Sequence, residues 1–555
     1  MMRAETFFFK LKDVIFTLPR LPGKLWKTQK AALFSGLLIG TSYIPFPPWA
    51  LFICLIPLWG AVLQHPNESF WKSFWRGWWS QFILSLIGFY WIAYVSHEYG
   101  YIPWPISLFI LLLFASTVHI YFALATGTAQ WLRKKLDLKD WAVLAIMAGL
   151  TGLAEIWWPS LFPWNFGYPF LWIQSPVAQV SDVIGFHGLS LFVLFFNAAL
   201  TWGVHQARMN KKTFPVLAVG VVLIASLTGL YFWGVQKKQE WLNTREPSHL
   251  KVLTVQANIG DFEKYMAERG AGFEQSIANQ YFALTREGLS KDPDVDLIVW
   301  PESAFPDFLN APDLKLRLYS TQFAKFVQEI RKPILTGGFS HALVPGRGME
   351  TYNGLFLYGP SQNSGPNEDL HSFGEPYHKT DLLMFGEYTP FSDTFPILAQ
   401  ISPAGVGFGR GKGPQILPFG DYKIGAQICY ESLDPNFTSH LALLGADVLV
   451  NLTNDSWFGP TSESPQHMIM TLARGLEARR PLIRSTNTGI TTAILADGTQ
   501  LQRSPQYVTW THTFDIPVRK NASLTFYTQY GSWLPYLLLI FLSVTLIIGR
   551  GRARS

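Results

Sequence analysis

Three stretches of the 555-residue chain end in side chains that could do chemistry together. "WPES" supplies Glu302, "YHKTDLLMFGE" supplies Lys379 and Glu387, and "QICYES" supplies Cys429, one of only two cysteines. A thiol with an ordinary pKa of about 8.5 is mostly protonated at neutral pH. To act as a nucleophile it needs a base and a positive neighbour. Glu302 has the chemistry of the base and Lys379 that of the positive charge. Taken singly, each has a plainer reading: a small buried hydrophobe at a strand end, a helix cap after Trp-Pro, a solvated lysine beside a histidine. His378, His467 and the other histidines match neither HExxH nor a Cys-His ligand spacing. "GVGFGRGKG" at 405 fits neither glycine-rich nucleotide register. No metal and no cofactor is expected.

The elements that must position these residues are β-rich. Apolar runs at 250–258, 295–302, 333–339, 352–359, 423–431, 446–454 and 481–487 read as strands, and 272–289, 313–331 and 463–479 as helices. This alternation predicts an α/β layered domain over 246–525. Two insertions interrupt it. One is the polar 361–372, and the other is the apolar, glycine-rich 388–413, whose composition suits a flap over a greasy substrate or on a bilayer.

The remainder is a polytopic membrane protein. Hydrophobic residues make up 49% and aromatic ones 15% of the chain, too apolar for a purely soluble protein. Segments of the length needed to span a bilayer, roughly 20 apolar residues, are expected at 31–46, 49–64, 79–96, 105–131, 141–157, 184–205, 214–235 and 534–549. That gives about eight spans, seven in 1–245 and one in 526–555, with a re-entrant hairpin as the alternative for the first two. Lys and Arg gather before the first span, in every second short loop and at the C-terminus, against which Lys237 and Lys238 stand as the exception. Both termini are therefore expected in the cytoplasm and the domain outside. This placement accounts for the net charge of +6 without nucleic acid. No cleaved signal is expected at the N-terminus, where Phe7, Phe8 and Phe9 suit an interfacial segment. Cys54 falls in a span, so Cys429 should be a free thiol in an oxidising compartment. Glu155 is expected at the interface, and the aromatic 157–172 as a belt that anchors the protein or lines an opening.

"WPE", the Lys379 region and "CYE", followed by "NLTNDSWFG", resemble the nitrilase or carbon-nitrogen hydrolase superfamily. That resemblance implies an α-β-β-α sandwich with a Glu-Lys-Cys triad. With seven spans before such a domain and one after it, the whole chain resembles the apolipoprotein N-acyltransferase family of the bacterial inner membrane. "VQANI" at 255, "WPESAFP" at 300, "YHKTDLLMFGEYTPF" at 377, "TNDSWFG" at 453 and "ARRPLIRSTNTGIT" at 478 add to it. It implies that Glu302 is the general base, Lys379 the oxyanion stabiliser and Cys429 the nucleophile. Glu387 would be a second carboxylate, and Tyr430 and Glu431 would hold flap or substrate. Where the family usually has Trp beyond the "QxNI" strand, this chain has Tyr265. The implied reaction moves an acyl chain from a phospholipid, through a thioester on Cys429, to the α-amine of a diacylglyceryl-cysteine apolipoprotein, and the enzyme is expected to act as a monomer. The alternatives are a membrane-tethered amidase or nitrilase using the same triad, and a transporter or scaffold whose outer domain only binds.

Overall fold

The computed structural model describes residues 23–551 except 161, 212, 244–247, 269–271, 306, 310–317, 345–347, 362–369, 385, 393, 396 and 398–406. The expected N-terminal interfacial segment lies outside the described residues, as do most of the polar insertion and the middle of the flap.

Among the described residues, five helices are long and apolar enough to cross a membrane: Trp104–Leu136, Asp140–Trp157, Pro176–Met209, Phe214–Leu242 and Phe526–Ile548. A sixth crossing arises if Phe70–Gly88 and Trp91–Glu98, bent by 54°, are taken as one. The difference from the expected eight lies at the start. Gly23–Gly40 is helical, but the chain then runs through turns until Ile56–Gln64, a helix of nine residues. Pro45, Pro47 and Pro48 lack N–H donors and break the first run. Beyond them, side chains take over the backbone hydrogen bonds that lipid cannot provide. Ser42 accepts from Ala50 N, Asn197 from Leu55 N and Ser35 from Leu58 N, at 2.9–3.0 Å. Glu155, near the end of helix Asp140–Trp157, is buried within the protein and accepts a hydrogen bond from Ser190. Most of the aromatic stretch is interior to the protein: Trp164, Phe166, Tyr168 and Phe170 are buried in its core.

Two β-sheets follow. The first has the order β12-β1-β2-β3-β4-β5, with β6 also paired to β4. Its strands are β1 (Ser248–Gln256), β2 (Leu297–Val299), β3 (Ile334–Val344), β4 (Gly348–Gly359), β5 (His371–Ser372), β6 (Tyr377–His378) and β12 (Trp510–Val518). The second has the order β11-β10-β9-β8-β7, from β7 (Ile416–Phe419), β8 (Tyr422–Ile428), β9 (Val448–Thr453), β10 (Leu482–Thr486) and β11 (Thr492–Ile494). All seven expected strands and three expected helices are present. Period-two alternation sets the layers. Leu250 and Val252 of β1 join one core with the second sheet, whereas Leu253 and Val255 join another with helices Glu274–Lys291 and Leu318–Ile330. Helices Pro435–Leu443 and Glu463–Ala478 cover the far face of the second sheet, which completes an α-β-β-α sandwich.

Every residue of Glu463–Ala478 is buried, because the membrane helices cover the face that the sheet does not. Its Gln466 amide donates to Ile44 O (2.9 Å) and Gly88 O (3.1 Å), carbonyls freed by the proline turn and by the helix break. Arg479 binds Asp182 and Gln179, and Arg474 donates to Tyr168.

Candidate active site

The three stretches singled out by their chemistry meet at the ends of strands. Glu302 follows β2, Lys379 follows β6, and Cys429 comes directly after β8. Glu302 reaches inward because the chain turns sharply against β3, where Gly337 N donates to Pro301 O at 3.2 Å. A Cβ at Gly337 would stand 2.7 Å from the Glu302 Cα, so this approach requires glycine.

Lys379 is 1% exposed and lies between two carboxylates. Its Nζ donates to Glu302 Oε1 at 3.2 Å and to Glu387 Oε1 at 2.8 Å. The Asn353 amide on β4 bridges the same two oxygens at 2.8 and 3.0 Å. Asn454 N donates to Glu302 Oε2 (2.9 Å) and Leu383 N to Glu387 Oε2 (2.8 Å), so both carboxylates are fixed on both sides. Asn353 and Asn454 were not among the sequence candidates. The signal for Asn353 was a lone amide inside an otherwise apolar strand, "YNGLFLYG". For Asn454 it was its place at the end of the "NLTN" strand.

Burial works against the Lys379 ammonium, but Glu302, Glu387 and Cys429 outweigh it and hold its pKa well above the ordinary value. For Cys429 the balance goes the other way. Burial and then Glu302 push the thiol up, Lys379 and the Thr453 hydroxyl pull it down, and the net pKa is well above the usual one. The expected influence of Lys379 is present in sign and outweighed in size. At rest, this geometry favours a thiol beside a carboxylate. Cys429 adopts φ +51°, a left-handed conformation that L-residues avoid.

Glu431 is completely buried and accepts four hydrogen bonds: from Tyr377 Oη (2.5 Å), Thr380 N (2.6 Å), Asp381 N (3.2 Å) and Ile428 N (2.7 Å). Its hydrogen bonds therefore tie the Lys379 loop to the Cys429 strand. Tyr430 Oη donates to Ser160 O at 3.1 Å, and its ring packs edge-on against Phe162. Nearby, Trp457 stacks on Tyr99 with ring centroids 4.0 Å apart, and Phe458 meets Trp91 and Phe162. The turns after β8 and β9 thus rest on the bent helix Trp91–Glu98 and the segment after residue 157. The side chain of Tyr265 lies outside the described residues. In the described parts of the flap, Phe391, Phe395 and Ile397 are 74%, 58% and 65% exposed. Phe408 packs against Phe339, and Arg410 lies over the Tyr388 ring.

Residues 35–199 match the family model for the apolipoprotein N-acyltransferase N-terminal domain, and residues 243–516 match that for carbon-nitrogen hydrolases. An apolipoprotein N-acyltransferase from Bdellovibrio bacteriovorus is 43% identical over 532 residues, 94% of each chain. One from Geobacter metallireducens is 28% identical, over 90% of this chain and 91% of its own. Among solved structures, a carbon-nitrogen hydrolase from Helicobacter pylori G27 is 16% identical, covering 48% of this chain and 89% of its own at a TM-score of 0.33.

Proposed function

Because the chain belongs to the apolipoprotein N-acyltransferase family, and is therefore a bacterial membrane acyltransferase of lipoprotein maturation, we propose that Glu302, Lys379 and Cys429 carry the transfer, with a phospholipid as acyl donor. The observation that supports this reading is the convergence of Glu302, Lys379 and Glu387 on one hydrogen-bonded group whose charges act on the Cys429 thiol.

In the first half-reaction the thiol proton passes to Glu302 as sulfur attacks the ester carbonyl carbon. Lys379 has three N–H donors, and two are engaged by carboxylates. The third is left for the developing oxyanion, together with the Tyr430 backbone N–H. Collapse expels the lysophospholipid, whose oxygen takes the proton back from Glu302, and leaves an acyl-thioester on Cys429. In the second half the α-amine of the diacylglyceryl-cysteine attacks the thioester and loses its proton to Glu302, and the departing Cys429 sulfur takes that proton back, which restores the thiol and the carboxylate. Dividing one difficult transfer into two lowers each barrier. Glu387 keeps Lys379 charged and oriented. The thioester must be shielded from water, a task for the bilayer and the apolar flap.

The catalytic domain lies in the periplasm in this reading, on a monomer of the inner membrane with both termini in the cytoplasm. Residues 1–245 form the membrane domain, 246–525 the catalytic domain, and 526–555 the last span with its tail. Incubating detergent-solubilised protein with acyl-labelled phospholipid tests the chemistry. A hydroxylamine-sensitive label on wild type and none on Cys429→Ala is the expected result. Label appearing only as free fatty acid, even with acceptor peptide present, would sink it.

A further inference from the structure

Behind Cys429 lies a buried polar cluster that the transfer chemistry does not use. It consists of Arg484 on β10, Asp455 in the turn after β9, and Glu463 and His467 on helix Glu463–Ala478, none more than 1% exposed. Arg484 Nη2 donates to Asp455 Oδ2 at 2.7 Å, while Nη1 donates to Asn451 Oδ1 (3.0 Å) and Thr471 Oγ1 (3.1 Å). From these two acceptors, two hydrogen-bond paths end on one atom. Asn451 Nδ2 donates to Cys429 O at 3.1 Å. On the other path Thr471 and Ser432 hydroxyls lie 2.8 Å apart, and Ser432 donates to Cys429 O at 3.0 Å. With Thr471 as donor to Ser432, every donor on that path points from Arg484 toward the Cys429 carbonyl.

A carbonyl and the N–H of the following residue share one rigid plane and point in opposite directions across a trans peptide. Anchoring Cys429 O therefore aims Tyr430 N–H the other way, and it does so at a residue whose left-handed φ would otherwise relax. We propose that Arg484 is a positioning residue for the acyl transfer: through Asn451, and through Thr471 and Ser432, it holds the Cys429 peptide so that the Tyr430 N–H meets the oxyanion. This rests on the reading of Cys429 as the nucleophile.

The electrostatics of the cluster are consistent with an anchor. Burial opposes the Asp455 charge, but Arg484 and His467 outweigh it and hold its carboxyl at about 2. Burial, with the Asp455 charge, pushes Glu463 well up; burial, with Arg484, pushes His467 down. Asp455, Glu463 and His467 offer ligand atoms within 4.8 Å of one another, but the guanidinium already occupies the Asp455 carboxylate.

The test uses the full-length enzyme in detergent, with single-turnover acylation by labelled phospholipid and, separately, alkylation of Cys429 by iodoacetamide, a displacement that develops no oxyanion. Thr471→Val and Asn451→Ala each cut one path. Each should slow acylation about tenfold, the worth of one hydrogen bond, with little change in phospholipid KM, and Thr471→Ser should restore the rate. The double variant should lose about a hundredfold, Arg484→Gln as much, and adding the two substitutions to Arg484→Gln nothing further. Alkylation should stay within about twofold of wild type throughout.

Wild-type acylation in Arg484→Gln, losses that add in its background, or alkylation falling in step with acylation would each overturn the proposal. So would acylation that is lost to a chelator and restored by Zn²⁺, since a cation would then hold the cluster. Should Arg484→Gln fail to fold because Asp455 is left unpaired, the Thr471 pair and Asn451→Ala decide alone. Label persisting on Cys429→Ala would remove the nucleophile reading itself. Label lost there, with unchanged rates in the path variants, would remove only this proposal.

Discussion

Neutralising Glu302 should make Cys429 more reactive toward a small alkylating agent while abolishing its acylation. The Glu302 carboxylate is among the forces that push the thiol up, second only to burial, and Lys379 pulls it down. In Glu302→Gln, Lys379 retains Glu387 at 2.8 Å and so stays charged beside the sulfur. Removing one nearby like charge lowers a pKa by about one to two units. For a mostly protonated thiol, each unit raises the thiolate fraction tenfold but costs about threefold in intrinsic nucleophilicity, a net gain of about threefold. Iodoacetamide should therefore modify Glu302→Gln about three- to tenfold faster than wild type at pH 7.5. Acyl-enzyme formation should fall by about 10²- to 10⁴-fold, the usual worth of a general base. Lys379→Met removes the opposing charge, so its alkylation should slow by a similar factor. The assay is loss of the Cys429 thiol followed by mass spectrometry, with Cys54, fully buried in the membrane part, as the internal control. Slower alkylation of Glu302→Gln, or shifts of the same sign in both variants, would refute the assigned balance of charges.

Asn353→Leu should lower kcat by one to two orders of magnitude with a small loss of stability, because two carboxylates lose the donor that spaces them; steady-state kinetics beside a thermal melt separates the two effects. Glu431→Gln should destabilise by about 3 kcal/mol or more, since an amide cannot accept at both ends and at least one buried N–H is orphaned; an unchanged melting temperature would contradict the four bonds described. Gly459→Ala should impair acylation, because its Cβ would stand 2.0 Å from the Tyr94 ring at a φ of +63°; partial recovery in Gly459→Ala with Tyr94→Ala would localise the defect to that seam. Replacing Phe391, Phe395 and Ile397 together by Ser should raise the apparent KM for phospholipid in bilayers more than kcat falls, if these exposed side chains engage lipid.

Glu302 and Cys429 were legible as candidates because each closes a recognisable apolar strand. Lys379 follows only the two-residue β6 and Glu387 lies in the turns beyond it, so these two stood out instead as charges flanking a short apolar stretch. Asn353 stands out in sequence only as a lone amide in an apolar strand, and a linear pattern does not show that it faces two carboxylates. β12, "WTHTFDIPV", was missed although it alternates. Its Pro517 and polar residues are tolerated because it pairs only with β1, at the edge of its sheet. The stretch at 49–64 looks like a span by hydropathy, which cannot anticipate that Ser35, Ser42 and Asn197 will satisfy a non-helical backbone. The net direction of the Cys429 pKa is not legible in sequence for a related reason. Lys379 is visible in the sequence as a positive charge, whereas depth of burial is not.

Helix Glu463–Ala478 has no face left for solvent. Cutting the catalytic half away from its anchor would strip one flank of that helix and leave Arg474 without the Tyr168 phenol, Gln466 without the Ile44 and Gly88 carbonyls, and Arg479 without Asp182 and Gln179. A secreted, anchor-free version of this enzyme is accordingly not available by truncation alone, and would call for a redesigned exterior on that flank. The membrane portion thus completes the packing of the catalyst as well as tethering it.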